Sequence, residues 1–206
     1  MRIIKCRKVG GEPRLGRKAL SDVHDVLASD GLIAYPTETV YGIGADPFSE
    51  EAVRRVFRAK RRKKDVPISM AVPSVEALWF YGVIDERSKR FCEKHMPGPV
   101  TVLLRATSLA PPSLISKGRI VGLRVPDHPV AIQVLRAFAP LTATSANRHG
   151  QPPSTSCDEA VRQLGEDIDV YIDAGPCAIG SESTVVDISE GQTRVIRRGA
   201  LSEEDL

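Results

Sequence analysis

Five consecutive cations, Lys60-Arg61-Arg62-Lys63-Lys64, form the densest run of chemistry-bearing side chains in this sequence. Guanidinium and ammonium groups match phosphate and carboxylate oxygens, so two or three of them converging on one point would hold a multiply charged anion. In an extended chain alternate side chains share a face. That would place Lys60, Arg62 and Lys64 on one side, with Arg61 and Lys63 on the other. A solvated basic run is the commoner fate of such a stretch, so its role depends on what distant segments bring to it. Three polar loops could do so, 36–46, 144–150 and 175–184, each after an apolar strand. They carry Thr37, Thr39, Gly42 and Gly44, then Thr144, Ser145, Asn147 and Gly150, then Gly180, Ser181, Ser183 and Thr184. Hydroxyls, amides and close backbone approach suit a phosphate or an amino-acid substrate. Arg62, Arg124 and Arg197 would add the charge.

Other chemistries fit less well. Neither GxxxxGK[ST] nor GxGxxG occurs, so the P-loop and Rossmann fingerprints are missing. Ser145 lacks the GxSxG surroundings of a nucleophile elbow. His24 falls in a helix, His95 before a break and His128 at a helix start, which leaves His149 as the one histidine in a candidate loop. Cys6, Cys92, Cys157 and Cys177 form no CxxC pair, which argues against a zinc site and a disulfide framework. Reduced thiols in a cytoplasmic setting are the expectation. Aromatics make up 5% of the chain, too few for a base-stacking platform, and Trp79 and Phe80 read as core.

The elements that must position these groups follow from periodicity. Helices are expected over 17–29, over 50–59 with Ser49 as N-cap, and over 75–80, 88–95, 129–138 and 158–164. Strands are expected near 3–4, 32–35, 67–72, 100–104, 120–125, 141–144, 170–173, 183–188 and 194–197, with 5–16 and 37–46 as loops. At 206 residues with 42% apolar and 27% charged content, the chain suits one α/β domain over 1–206. Its sheet should be mixed parallel and antiparallel, flanked by helices. The net charge is +3 while the cationic run alone carries +5, so basicity is local rather than spread as in a protein that coats nucleic acid. No apolar run reaches membrane-spanning length.

Six short motifs then occur in one order: Tyr35-Pro-Thr-Glu-Thr-Val-Tyr-Gly-Ile-Gly44, Lys60-x-Arg62, Pro97-Gly-Pro-Val-Thr101, Val121-Gly-Leu-Arg124-Val-Pro with Asp127-His-Pro, Ser145-x-Asn147, and Ser183-Thr-Val-Val-Asp187. Together they resemble the YrdC-domain family, the L-threonylcarbamoyladenylate synthases, over about residues 17–201. The resemblance implies a twisted sheet around a deep basic cavity. It implies that L-threonine, bicarbonate and ATP, with Mg2+ on the triphosphate, yield threonylcarbamoyl-AMP and pyrophosphate. The product would pass to a tRNA threonylcarbamoyl transferase complex.

Carried over from the family, Lys60, Arg62, Ser145 and Asn147 would be catalytic, with no protein metal site. Lys60, Arg62, Ile120, Ser145, Pro153 and Arg197 would contact ATP, and Thr39, Arg124, Ala143 and Ser183 would hold threonine. The chain departs from the family pattern at Lys63, Val66, Ala71 and Arg198. Two rival readings remain: a non-catalytic module binding tRNA or double-stranded RNA through phosphate contacts, and a scaffold subunit of a larger assembly.

Overall fold

The computed structural model describes residues 1–62, 67–202 and 204–206. In chain order come β1 (Arg2–Lys5), β2 (Arg7–Val9), β3 (Glu12–Arg14), α1 (Arg17–Ala28), β4 (Ile33–Tyr35), β5 (Gly42–Gly44) and α2 (Glu50–Lys60). Next are β6 (Ser69–Ala71), α3 (Val75–Tyr81), α4 (Glu86–His95), β7 (Val100–Arg105), β8 (Ile120–Arg124) and α5 (Pro129–Ala137). The chain closes with β9 (Leu141–Ser145), α6 (Cys157–Leu164), β10 (Val170–Asp173), β11 (Thr184–Glu190) and β12 (Gln192–Arg197).

Helix starts follow the caps written in the sequence. Ser49, Ser74, Asp85 and Ser156 each accept a backbone N–H with the side chain, which satisfies one of the donors a helix leaves open at its first turn. His128 does the same for α5 through Nδ1, with Pro129 in the first turn, where its missing N–H costs nothing.

Ten strands form one mixed sheet in the order β1-β10-β4-β5-β9-β6-β8-β7-β11-β12. β1-β10, β10-β4, β6-β8 and β7-β11 pair in parallel and the other neighbours antiparallel. Alternation sends successive side chains to opposite faces. One face, with Ala34, Ile43, Val102, Leu104, Val121, Leu123 and Val186, packs against apolar residues of α2, α3, α4 and α6. The other, with Ile33, Tyr35, Leu141, Val170 and Ile172, packs against Val23 and Leu27 of α1 and Val130, Ala131, Val134 and Leu135 of α5. Those two helices, with Ala71 of β6 and Leu141 of β9 in the same cluster, cover part of that face. Its remainder is the floor of a cavity.

Three expectations are corrected. Segment 5–16 is not a loop but the hairpin β2-β3, turning through Gly10 and Gly11 at φ +61° and +87°, where glycine is at ease. Segment 37–46 contains β5, a central strand too short and too rich in glycine to show a strand pattern. Trp79 and Phe80 are 41% and 60% exposed rather than core, because α3 is short and buries only Leu78 completely.

Candidate functional site

The cavity has a volume of about 260 Å³. Its floor follows the strand period. Gly42 comes from β5, Ala143 and Ser145 from β9, Ser69 and Ala71 from β6, and Gly122 from β8. Small side chains on four adjacent strands open the space. Tyr35 closes one end, and Thr101, Leu103 and Val185 line the other. Charge comes from Arg62, Arg124 and Arg197, together with Glu182, an acid that the sequence reading did not select.

The cationic run reaches this wall by a route different from simple extension. Lys60 ends α2, and Arg61 is left-handed at φ 50°, ψ 40°. The Arg61 N–H bonds Arg58 O at 2.9 Å and the Arg62 N–H bonds Phe57 O at 3.0 Å, the two bonds of a Schellman turn. That turn drives Lys60 inward and brings Arg62 to the cavity. Lys63, Lys64 and Val66 lie outside the described residues.

Lys60 is 3% exposed and is not on the cavity wall. Its ammonium donates to Ser145 O, to Asn147 O at 3.0 Å and to Asn147 Oδ1 at 3.1 Å. The Asn147 amide in turn donates to Arg148 O at 3.1 Å and Gln151 O at 2.6 Å. Lys60 and Asn147 therefore pin the loop after β9, and with it Ser145, from behind. His149 is exposed, and its backbone N–H bonds Lys60 O at 2.7 Å, so what it contributes here is a cap on α2.

Burial, and then Arg62, pull the Lys60 ammonium from 10.5 down to about 8, with Glu182 opposing; the three oxygen acceptors also work to keep the proton. Between pH 8 and 10.5 the unfolded chain binds more protons than the folded one, so stability rises with pH across that window. The burden of burying the charge is fully present below it. Relative to Lys60→Met, the unmodified protein is expected to gain on the order of 1–3 kcal/mol between pH 7.5 and 10 in denaturant titrations. A flat difference would show that the charge is not strained.

Arg62 donates from Nη1 to Thr144 Oγ1 at 3.4 Å and from Nη2 to Pro67 O at 3.1 Å, while its Nε has no partner. Burial pulls it below the ordinary guanidinium value, Glu182 opposes this and Arg197 reinforces it. Arg197 is held by Glu182 Oε2 at 3.2 Å and Ser183 O at 2.8 Å. Ser183 Oγ lies 2.9 Å from Thr101 Oγ1.

Arg124 is 8% exposed and donates to Glu38 Oε1 at 2.7 Å and Thr39 Oγ1 at 2.8 Å. Thr37 gives its proton to Val40 O at 2.6 Å, so Thr39 donates to Thr37, at 2.8 Å, while accepting from Arg124. Thr39 is fully buried behind the wall and orients the guanidinium. Ile120, Ala143, Ser145, Ser183, Arg62, Arg124 and Arg197 thus converge on one cavity, while Lys60, Thr39, Asn147 and Pro153 are not on its wall. The missed acids, Glu38 and Glu182, could have been suspected as the neighbours of Thr37-x-Thr39 and Ser183, since a buried arginine needs a counter-charge.

Gly199 supports the same wall. A Cβ there would come within 2.4 Å of Glu182 O and 2.5 Å of Ser183 C, both backbone atoms. Gly199→Ala must displace the 182–183 segment. It is expected to cost about 1–3 kcal/mol in thermal or chemical unfolding; an unchanged midpoint would contradict the close packing.

Fold and site define an α/β protein that carries an arginine- and hydroxyl-lined cavity over the central strands of its sheet. The family model for Sua5, YciO and YrdC proteins, described as telomere recombination, matches residues 25–199, and the chain belongs to that family. A Methanocaldococcus jannaschii protein is 31% identical over 205 residues, covering 100% of this chain and 96% of its own. A threonylcarbamoyl-AMP synthase of Escherichia coli is 36% identical over 155 residues, 73% of this chain and 82% of its own. The crystal structure of Pyrococcus abyssi Sua5 complexed with L-threonine superimposes with a TM-score of 0.91 at 32% identity, over 98% of this chain and 59% of that longer one. Among the described residues no helix is long and apolar enough to cross a membrane.

Proposed function

We propose that this chain is an L-threonylcarbamoyladenylate synthase, acting in the cytoplasm on L-threonine, bicarbonate and ATP. The observation that carries the reading is the convergence of three arginines and several hydroxyls on one cavity. It occurs in a chain whose structural neighbour was crystallised with L-threonine. The threonine amine and bicarbonate form a carbamate with loss of water. A carbamate oxygen then bonds the α-phosphorus of ATP while the bond to the β-phosphate oxygen breaks, and pyrophosphate leaves with its electron pair.

Arg62 and Arg197 face the phosphates and offset the charge that grows on them, the main assistance a protein gives such a transfer. Arg124, held by Glu38 and Thr39, faces the threonine carboxylate. Ser145 positions the nucleotide, with Lys60 and Asn147 fixing it from behind.

Among the described residues no cluster of three or more metal-capable side chains occurs, and Glu38 and Glu182 are each engaged by an arginine. In this reading Mg2+ would come with the nucleotide as part of the substrate, where it would help neutralise the triphosphate. The product passes to a tRNA threonylcarbamoyl transferase complex. Pyrophosphate release that requires both threonine and bicarbonate tests the reading; release indifferent to threonine overturns it. The rival tRNA- or double-stranded-RNA-binding module ranks lower because similar proteins from bacteria and archaea are named as synthases. It would show salt-sensitive RNA affinity without turnover.

A further inference from the structure

Tyr35 is 1% exposed, yet it stands on the cavity wall. Its ring lies across the backbone of β5. A Cβ at Gly42 would meet the ring at 3.3 Å and the hydroxyl at 3.5 Å, and a Cβ at Gly44 would meet the ring at 3.1 Å. The Gly42-Ile43-Gly44 stretch thus makes room for one aromatic ring and lets it point its hydroxyl past Gly42, itself a cavity-floor residue, into the space. Phenylalanine would fill the same bed. The oxygen therefore calls for a reason of its own, since a buried hydroxyl without a partner is costly.

Most polar side chains on the wall are already engaged within the protein. Thr37, Tyr41, Thr101, Ser116, Thr144 and Ser183 all have hydrogen-bond partners. Among the described residues, Tyr35, Ser69 and Ser145 are the wall hydroxyls left without one. The Tyr35 oxygen is not sealed in the core either, for it does not rank among the fully enclosed orphan atoms. Burial pushes the phenol up to about 12, with Arg124 lowering and Glu38 raising it, so it remains a neutral donor. Tyr35 leads directly into Glu38 and Thr39, the two side chains that hold Arg124.

We propose that the Tyr35 hydroxyl is a direct contact to the amino-acid substrate, donating a hydrogen bond to a ligand held by Arg124. The assignment rests on the synthase reading for the identity of that substrate. A neutral donor adds direction without further charge, and it leaves the phosphates to Arg62 and Arg197.

Tyr35→Phe tests it, because the ring and its glycine bed are kept. Calorimetric binding of L-threonine to the unmodified chain and to the variant should show affinity weakened about tenfold, the loss expected for one hydrogen bond. ATP affinity should be unchanged, and the unfolding midpoint should not fall, since the hydroxyl has no partner within the protein. Threonine affinity equal in both proteins overturns the proposal even if the synthase reaction is demonstrated. A threonine-selective loss supports it even if no pyrophosphate is ever released, so failure of this contact and failure of the proposed reaction are distinguishable. Weakened ATP binding with intact threonine binding overturns it by placing the hydroxyl against the nucleotide.

Discussion

Arg62→Ala is expected to lower threonine-dependent pyrophosphate release by at least about 100-fold, the scale of losing one preorganised donor to a developing charge. Stability should change little. The guanidinium is only half-buried, its contact with Thr144 is long at 3.4 Å, and the turn that positions it is made by backbone bonds from Arg61 and Arg62. The unpartnered Nε and the loosely held Nη1 leave donor capacity that a phosphate can engage. Arg62→Lys should not rescue the reaction, because a point charge lacks the planar fork. Steady-state pyrophosphate assays with a parallel melt check this. Near-normal turnover in Arg62→Ala would remove Arg62 from the site.

Arg124→Ala should act on folding first. Arg124 and Glu38 form an ion pair at 2.7 Å with both side chains 10% exposed, and Glu38 Oε2 has no partner even in the intact protein. Removing the arginine leaves a buried carboxylate uncompensated, which typically costs about 3–5 kcal/mol. Threonine binding should vanish with it. Adding Glu38→Gln to Arg124→Ala should recover part of the loss, since the stranded charge goes. Urea or guanidinium titrations of the singles and the double variant measure the coupling. A cost below about 1 kcal/mol for Arg124→Ala would mean that the pair is solvated and weak.

Helices were the most legible part of the chain. α2 reads from Ser49, Glu50, Glu51 and the Val53, Val56, Phe57 stripe, and it forms over Glu50–Lys60 with Ser49 capping Ala52 N. Long β-branched runs such as Val100–Leu104 were equally plain. Short elements were not: β5 offers three residues, two of them glycine, and its pairing with β4 and β9 decides its state. Trp79 and Phe80 misled because an apolar side chain states a preference for burial, while only the packing of α3 decides whether burial is available.

The sequence by itself determined the residue types that can do chemistry here, the motif order, the helix caps and the two-residue alternation of the strands. It could place Arg62, Arg124, Arg197 and Ser145 in one group because their types suit one ligand. Only the tertiary structure decided which strands are neighbours, and their order is far from sequential. From that order follow the small-residue floor, the acids that hold Arg124 and Arg197, and the free hydroxyl of Tyr35. The left-handed turn at Arg61 likewise sent Lys60 behind the wall and Arg62 onto it, where residue spacing alone would have put them side by side. The physical reason is common to all of these. Local periodicity fixes the face on which a side chain emerges, but what it meets there is set by long-range pairing that residue types alone do not encode.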